Sequence, residues 1–238
     1  MALGRARLLL SSGALLLFAR LSPAQTLHYT GEWRFLDAGR VQTHLGAAGA
    51  RMELQTAGLA DRLYPVRDSY SVTYDRMVCA SAWIEDSRQG SSHREIEVTY
   101  GVGKALRIER DLLKNRERVG GGEVEIPACV HDILGALEKL RRTVLPPGGL
   151  LTIPMSDGRK IEVVDIRAQE KETVRTPAGV FTTVRHEAML FNGVLFRRKA
   201  RLFIWLTDDA RRLPVQIRIQ MPFYLGSVTL QLEREEPG

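Results

Sequence analysis

The sequence predicts a mainly β protein, an antiparallel barrel or strongly curved sheet of about a dozen strands with one amphipathic helix. Three observations carry that expectation. Apolar and polar residues alternate with period two through most of the chain, as half-buried strands require. Turns rich in glycine, proline, asparagine and aspartate separate these runs at hairpin spacing. A single good stripe of helical period interrupts them after Val130.

The first strand puts Leu27, Tyr29, Trp33 and Phe35 on one face and His28, Thr30, Glu32 and Arg34 on the other. Asp37-Ala38-Gly39 is the expected turn, and Val41, Thr43 and Leu45 restart the alternation. Further strands are expected over 52–56, 70–74, 78–85, 94–102 and 106–110, with a tight reversal at Gly101-Val102-Gly103. Residues 59–64 suit one short helical turn, and Gly120-Gly121-Gly122 reads as a flexible loop. In the helix, Val130, Ile133, Leu134, Leu137 and Leu140 form the stripe. Asp132 stands near its start, and Lys139, Arg141 and Arg142 stand near its end, as the helix dipole favours. That stripe must cover apolar sheet, for example as a plug in a barrel mouth. Pro146-Pro147-Gly148-Gly149 ends the helix, and Ser156-Asp157-Gly158 and Thr176-Pro177-Ala178-Gly179 are turns. Strands then run over 180–190, 195–206, 213–221 and 226–232; Asn192-Gly193 joins the first two, and Asp208-Asp209-Ala210 precedes the third.

Residues 1–24 have the three parts of a secretory signal peptide. Arg5 and Arg7 precede an apolar stretch from Leu8 to Ala19, and Ser22-Pro23-Ala24 offers small residues for cleavage before Gln25. The apolar stretch is shorter than the ~20 residues of a spanning helix and is closed by Arg20, so no transmembrane span is expected after cleavage. Residues 25–238 then form one domain with a periplasmic or secreted location. Cleavage removes three arginines and no acids, which halves the net charge of +6 and weakens any case for nucleic acid. In an oxidising compartment, Cys79 and Cys129 are expected to form a disulfide.

No catalytic or metal-binding constellation emerges, and no cofactor is implied. His28, His44, His93, His131 and His186 lack zinc-ligand spacing. Gly101-Val102-Gly103-Lys104 is followed by Ala105, which breaks the phosphate-loop pattern. There is no G-x-S-x-G elbow, and the adjacent acids Asp208 and Asp209 read as a turn rather than a glycosidase pair. Two features remain. Trp33, Phe35, Phe203 and Trp205 are either core or the lining of a lipophilic pocket. Arg197, Lys199 and Arg201 share a strand face that either meets an anionic partner or is solvated and paired with Glu233 and Glu235.

Several segments together resemble the bacterial exported family known only as domain of unknown function 3108. They are Tyr29-Thr30-Gly31-Glu32-Trp33 running into Ala38-Gly39, and Pro127-Ala128-Cys129-Val130-His131-Asp132-Ile133-Leu134. Leu140-Arg141 before Pro147-Gly148 follows, then Thr176-Pro177-Ala178-Gly179, then Ile204-Trp205-Leu206-Thr207-Asp208-Asp209 with Arg212-Leu213-Pro214. The resemblance implies an exported, β-rich protein and no established activity. It departs at Leu137-Glu138-Lys139, where aromatics would be expected.

The expectation from sequence is an exported envelope protein that binds an apolar or amphiphilic ligand, such as a lipid, or an envelope partner, without catalysis. The alternatives are an assembly factor that recognises envelope protein or polysaccharide, or an envelope hydrolase of unrecognised type.

Overall fold

Alternating apolar residues produce one very large sheet. The computed structural model describes residues 24–190, 200–221 and 226–237. The first half contributes β1 (Gln25–Trp33), β2 (Leu36–Leu45), β3 (Gly49–Thr56), β4 (Val66–Tyr74), β5 (Ala80–Gln89), β6 (Ser92–Tyr100), β7 (Lys104–Asp111) and β8 (Glu117–Glu125). The second half contributes β9 (Leu150–Ser156), β10 (Ile161–Thr176), β11 (Gly179–Leu190), β12 (Ala200–Thr207), β13 (Pro214–Gln220) and β14 (Ser227–Pro237). All neighbours are antiparallel. The order runs from β8 back to β1, across to β14, and back again to β9. Each half is thus a meander of hairpins, and the β1–β14 pair joins them.

The sheet is not closed, because its edges β8 and β9 do not pair. They are consecutive in sequence, and residues 126–132 cross between them as a strap. Ile126 N–H donates to Gly103 O (2.9 Å), Ala80 N–H donates to Val130 O (2.8 Å), and His131 N–H donates to Pro154 O (2.9 Å). The strap therefore satisfies exposed backbone at the β9 edge, which would otherwise invite intermolecular pairing. A Cys79–Cys129 disulfide pins it to the start of β5, with Cα atoms 5.1 Å apart. Curvature shows in contacts across the concave face: Tyr100 Oη donates to Ser156 O (2.7 Å), and Arg107 Nη1 donates to Asp157 O (3.0 Å).

The amphipathic stripe forms α2 (Ile133–Arg142). Asp132 caps it, accepting from Leu134 N and Gly135 N at 2.9 Å each, and its other partner is the Tyr70 hydroxyl (2.9 Å). Leu134 joins a core cluster with Leu27, Tyr29, Val72, Trp83 and Leu232. Ala136 and Leu140 join a second cluster with Ile153, Ile166, Ile204 and Leu206. The helix therefore packs its stripe against strands of both halves of the sheet. A six-residue helix α1 (Gly58–Leu63) links β3 and β4.

Three local expectations need correction. Phe35 does not continue the first strand, because the chain reverses at Arg34-Phe35, where both residues have positive φ (51° and 67°). Gly120-Gly121-Gly122 is not a loop but lies within edge strand β8. There, Gly121 has φ 120°, and a Cβ would meet Arg107 O at 2.2 Å, so only glycine fits. The strand expected from residue 78 starts at Ala80, since Val78 has a left-handed φ of 67°. The Asn192-Gly193 turn lies outside the described residues.

Candidate functional site

The residues of β11, β12 and β13 fall on two faces with opposite characters. Register pairs Val184 with Leu206, His186 with Ile204 and Ala188 with Leu202, and this face packs on α2. The other face carries Arg185 opposite Trp205 and Glu187 opposite Phe203. Arg218 pairs with Phe203, and Gln220 pairs with Arg201. Period two therefore places two aromatics and three arginines side by side.

Trp205 and Phe203 lie 6.2 Å apart with their rings tilted by 39°. Together with Arg185, Arg218, Met221 and Gly226 they line a cleft of about 390 Å³, a size that suits a small ligand. Arg201 stands over the Phe203 ring at 4.9 Å and Arg218 over the Trp205 ring at 5.4 Å. The arginines differ in their acids. Arg201 is paired with Glu187 (2.6 Å), and Arg185 bridges Glu170 and Glu172. Trp205 Nε1 also donates to Glu172 (2.7 Å), which fixes the indole. Arg218 is exposed, has no acidic partner among the described residues, and gives only a 3.3 Å bond to Thr229 Oγ1. A guanidinium held over an aromatic ring, with no carboxylate to neutralise it, can take an anionic group in bidentate fashion.

The sequence-selected residues separate on this map. Phe203 and Trp205 are adjacent at the cleft, but Trp205 is only 4% exposed and belongs to the core cluster with Leu213, Val215 and Leu232, while Phe203 is half-buried against that cluster. Trp33 is half-buried at the end of β1, where its Nε1 lies near Gly226 at the cleft rim. Phe35 is 98% exposed in the β1–β2 turn, so it lines no interior. Arg197 and Lys199 lie outside the described residues. Arg185 and Arg218 were missed, because only strand register reveals which residues flank Trp205.

A larger groove of about 520 Å³ crosses the outer face of β1–β5, but its arginines are already engaged. Its Arg40 holds Asp37, and its Arg67 holds Asp61. His93 Nε2 lies 2.9 Å from Asp86 there, and His28 Nε2 lies 3.3 Å from Glu236. Each ring also meets an arginine, Arg88 and Arg234 respectively. Among the described residues no serine, threonine or cysteine side chain bonds either ring; the one hydroxyl–histidine contact, Thr26 Oγ1 to His44 Nδ1 (3.1 Å), is an exposed cross-strand pair of β1 and β2 outside this groove. No group of three metal-ligating side chains occurs among the described residues either.

Buried titratable groups on the helix-facing side have a structural role. Burial raises the Asp132 and Glu85 carboxyls above their ordinary range, and Asp68 adds to the effect on Glu85. His186 is fully buried with neither ring nitrogen hydrogen-bonded, and burial, aided by Arg212, lowers its pKa to about 4. The unfolded chain therefore takes up the proton first. Proton uptake by the unfolded chain leaves stability unchanged above pH 6.5 and lowers it as pH falls towards 4, at a cost of about 3 kcal/mol. His186→Leu is expected to melt higher than wild type at pH 7, with a gap that widens down to pH 4. Thermal melts across that range check this.

A family model described as protein of unknown function (DUF3108) matches residues 26–233. The chain belongs to this family. Among solved structures, this DUF3108 chain is similar to a β-barrel-like protein of domain of unknown function DUF1849 from Brucella abortus. The TM-score is 0.60 at 8% identity, covering 91% of this chain and 98% of that one. A DUF1089 family protein from Pseudomonas aeruginosa shares 11% identity over 77% of this chain and 90% of its own, with a TM-score of 0.43. At these identities the first likeness speaks to fold alone. No curated protein matches the chain. Among the described residues no helix is long and apolar enough to cross a membrane.

Proposed function

We propose that this DUF3108 protein is exported, loses residues 1–24, and binds without catalysis an amphiphile with an apolar body and an anionic head. The observation that carries the reading is Arg218, a cation over Trp205 with no acidic partner among the described residues, beside an aromatic cleft. The apolar body would lie on Phe203, which the buried Trp205 backs from the core, while the head meets Arg218. A disulfide in the strap suits an oxidising compartment, which supports export.

Titrating the mature protein with dodecyl phosphate and with dodecyl maltoside tests the charge requirement. The phosphate should bind saturably and the maltoside weakly. Arg218→Glu should weaken phosphate binding by about tenfold or more, because a charge-assisted contact becomes a repulsion. Equal binding of both detergents, or an unaffected Arg218→Glu protein, would refute the reading.

A further inference from the structure

The β1–β2 turn and α1 form an apolar ridge at one end of the sheet, and its backbone is strained where it is most apolar. A two-residue hairpin with positive φ at both positions normally takes Asn-Gly. Here Arg34 and Phe35 occupy those positions at 51° and 67°, conformations that side chains with a Cβ resist. The strain yields no packing, because Phe35 is 98% exposed and Leu36 is exposed beside it. Such strain persists at sites where a side chain must be presented.

Next to this turn, α1 faces the wrong way for a core helix. It buries no residue, and Leu59 and Leu63, one turn apart on the same side, are 54% and 70% exposed. Tyr64 follows and is also exposed. The two segments are neighbours, since Ala57 N–H donates to Ala38 O (3.0 Å). Two adjacent segments thus expose five large apolar side chains, with Tyr64 reaching towards the β5–β6 turn at Gly90, and an exposed apolar patch of this kind marks an interaction surface.

Charge indicates what covers it. Residues 34–40 and 57–67 hold four arginines against two aspartates. Both aspartates are taken, Asp37 by Arg40 (2.5 Å) and Asp61 by Arg67 (2.7 Å) and Thr56 (2.8 Å). Arg62, amid the leucines, has no acidic partner among the described residues, and Arg34 lies over Trp33 at 5.2 Å. Aromatic and leucine side chains interleaved with arginines match the boundary between acyl chains and anionic headgroups. We infer that this ridge docks the protein on the surface of an anionic lipid bilayer, with Phe35, Leu59 and Leu63 entering the headgroup region. The inference does not depend on what the Trp205 cleft binds.

Cosedimentation with vesicles tests it. Mature protein should pellet with phosphatidylethanolamine–phosphatidylglycerol vesicles, less with phosphatidylcholine vesicles, and less at high salt. Two variants separate docking from folding. Phe35→Ser/Leu63→Ser should lower vesicle affinity by about tenfold or more with an unchanged circular dichroism spectrum, since both side chains are exposed. Phe35→Gly should bind vesicles less and melt higher, because glycine relieves the strained turn. Arg218→Glu should leave vesicle binding intact, so failure of the cleft reading remains distinguishable. Absence of wild-type binding to the anionic vesicles, or equal binding by the serine variant, would overturn the inference. So would a concentration-dependent dimer that the serine variant dissociates, since a second copy would then cover the ridge.

Discussion

Removing the Cys79–Cys129 bond is expected to lower the melting temperature by about 8–16 °C. The bond spans a sequence separation of 50 residues, and closing such a loop restricts the unfolded chain by about 4 kcal/mol on the chain-entropy model. For a chain of this size each kcal/mol corresponds to about 2–4 °C. Folded-state geometry adds to the effect. The bond holds the strap that links the start of β5 to edge strand β9, and it stands next to Val78, a β-branched residue at positive φ. The Cys79→Ser/Cys129→Ser protein, compared with wild type by calorimetry with and without reductant, gives the number. Wild type in reductant should approach the double variant. Identical melts in all conditions would mean that the strap's own hydrogen bonds hold the edges.

The second large effect is expected at Glu138. It is buried on α2, where Oε2 accepts from Arg141 Nη1 (3.0 Å) and Oε1 accepts from Arg142 Nε (2.8 Å). Arg141 is buried as well. Its guanidinium donates to Arg212 O (3.1 Å), Arg211 O (3.2 Å) and Gln25 Oε1, so it ties α2 to the β12–β13 turn and to β1. Glu138→Ala leaves that guanidinium among neutral acceptors, and removing one partner of a buried pair costs about 3–5 kcal/mol. Glu138→Leu/Arg141→Met, which removes both charges, should lose less than the single variant. Urea unfolding of the three proteins measures both quantities. A double variant less stable than Glu138→Ala would show that the carbonyl contacts of Arg141 outweigh its ion pair.

Much of this fold was legible because its signals are local. Alternation through Leu27, Tyr29, Val41, Thr43 and Leu45 marks the inner face directly, and the stripe at Leu134 and Leu140 marks the helix. The same sequence departure at Leu137-Glu138-Lys139 is where the buried ion pair sits, so polar residues there fasten the helix rather than weaken it. Misreadings arose where the backbone takes unusual dihedrals. Arg34-Phe35 carries none of the residues that favour positive φ, so the expected turn at Asp37 starts three residues later than the observed one. Gly120-Gly121-Gly122 looks like a linker, yet its lack of side chains is what lets β8 approach Arg107 so closely.

The cleft was half legible. Phe203 and Trp205 stood out as aromatics two apart on one strand, but Arg218 is thirteen residues beyond Trp205 and meets it only through the β12–β13 register. Pairing across strands is a tertiary property, and no local pattern in the sequence encodes it. Trp33 and Phe35 were grouped with them by residue type, and the hairpin reversal sends Phe35 to solvent instead.

Native mass spectrometry of the mature protein, expressed with residues 1–24 and purified without detergent, tests the ligand reading most directly. The expected spectrum shows a chain beginning at Gln25 together with a bound amphiphile that carries an acidic head, and both Phe203→Ala and Arg218→Glu lose that adduct. A protein free of any such adduct that also fails to take up dodecyl phosphate would contradict it.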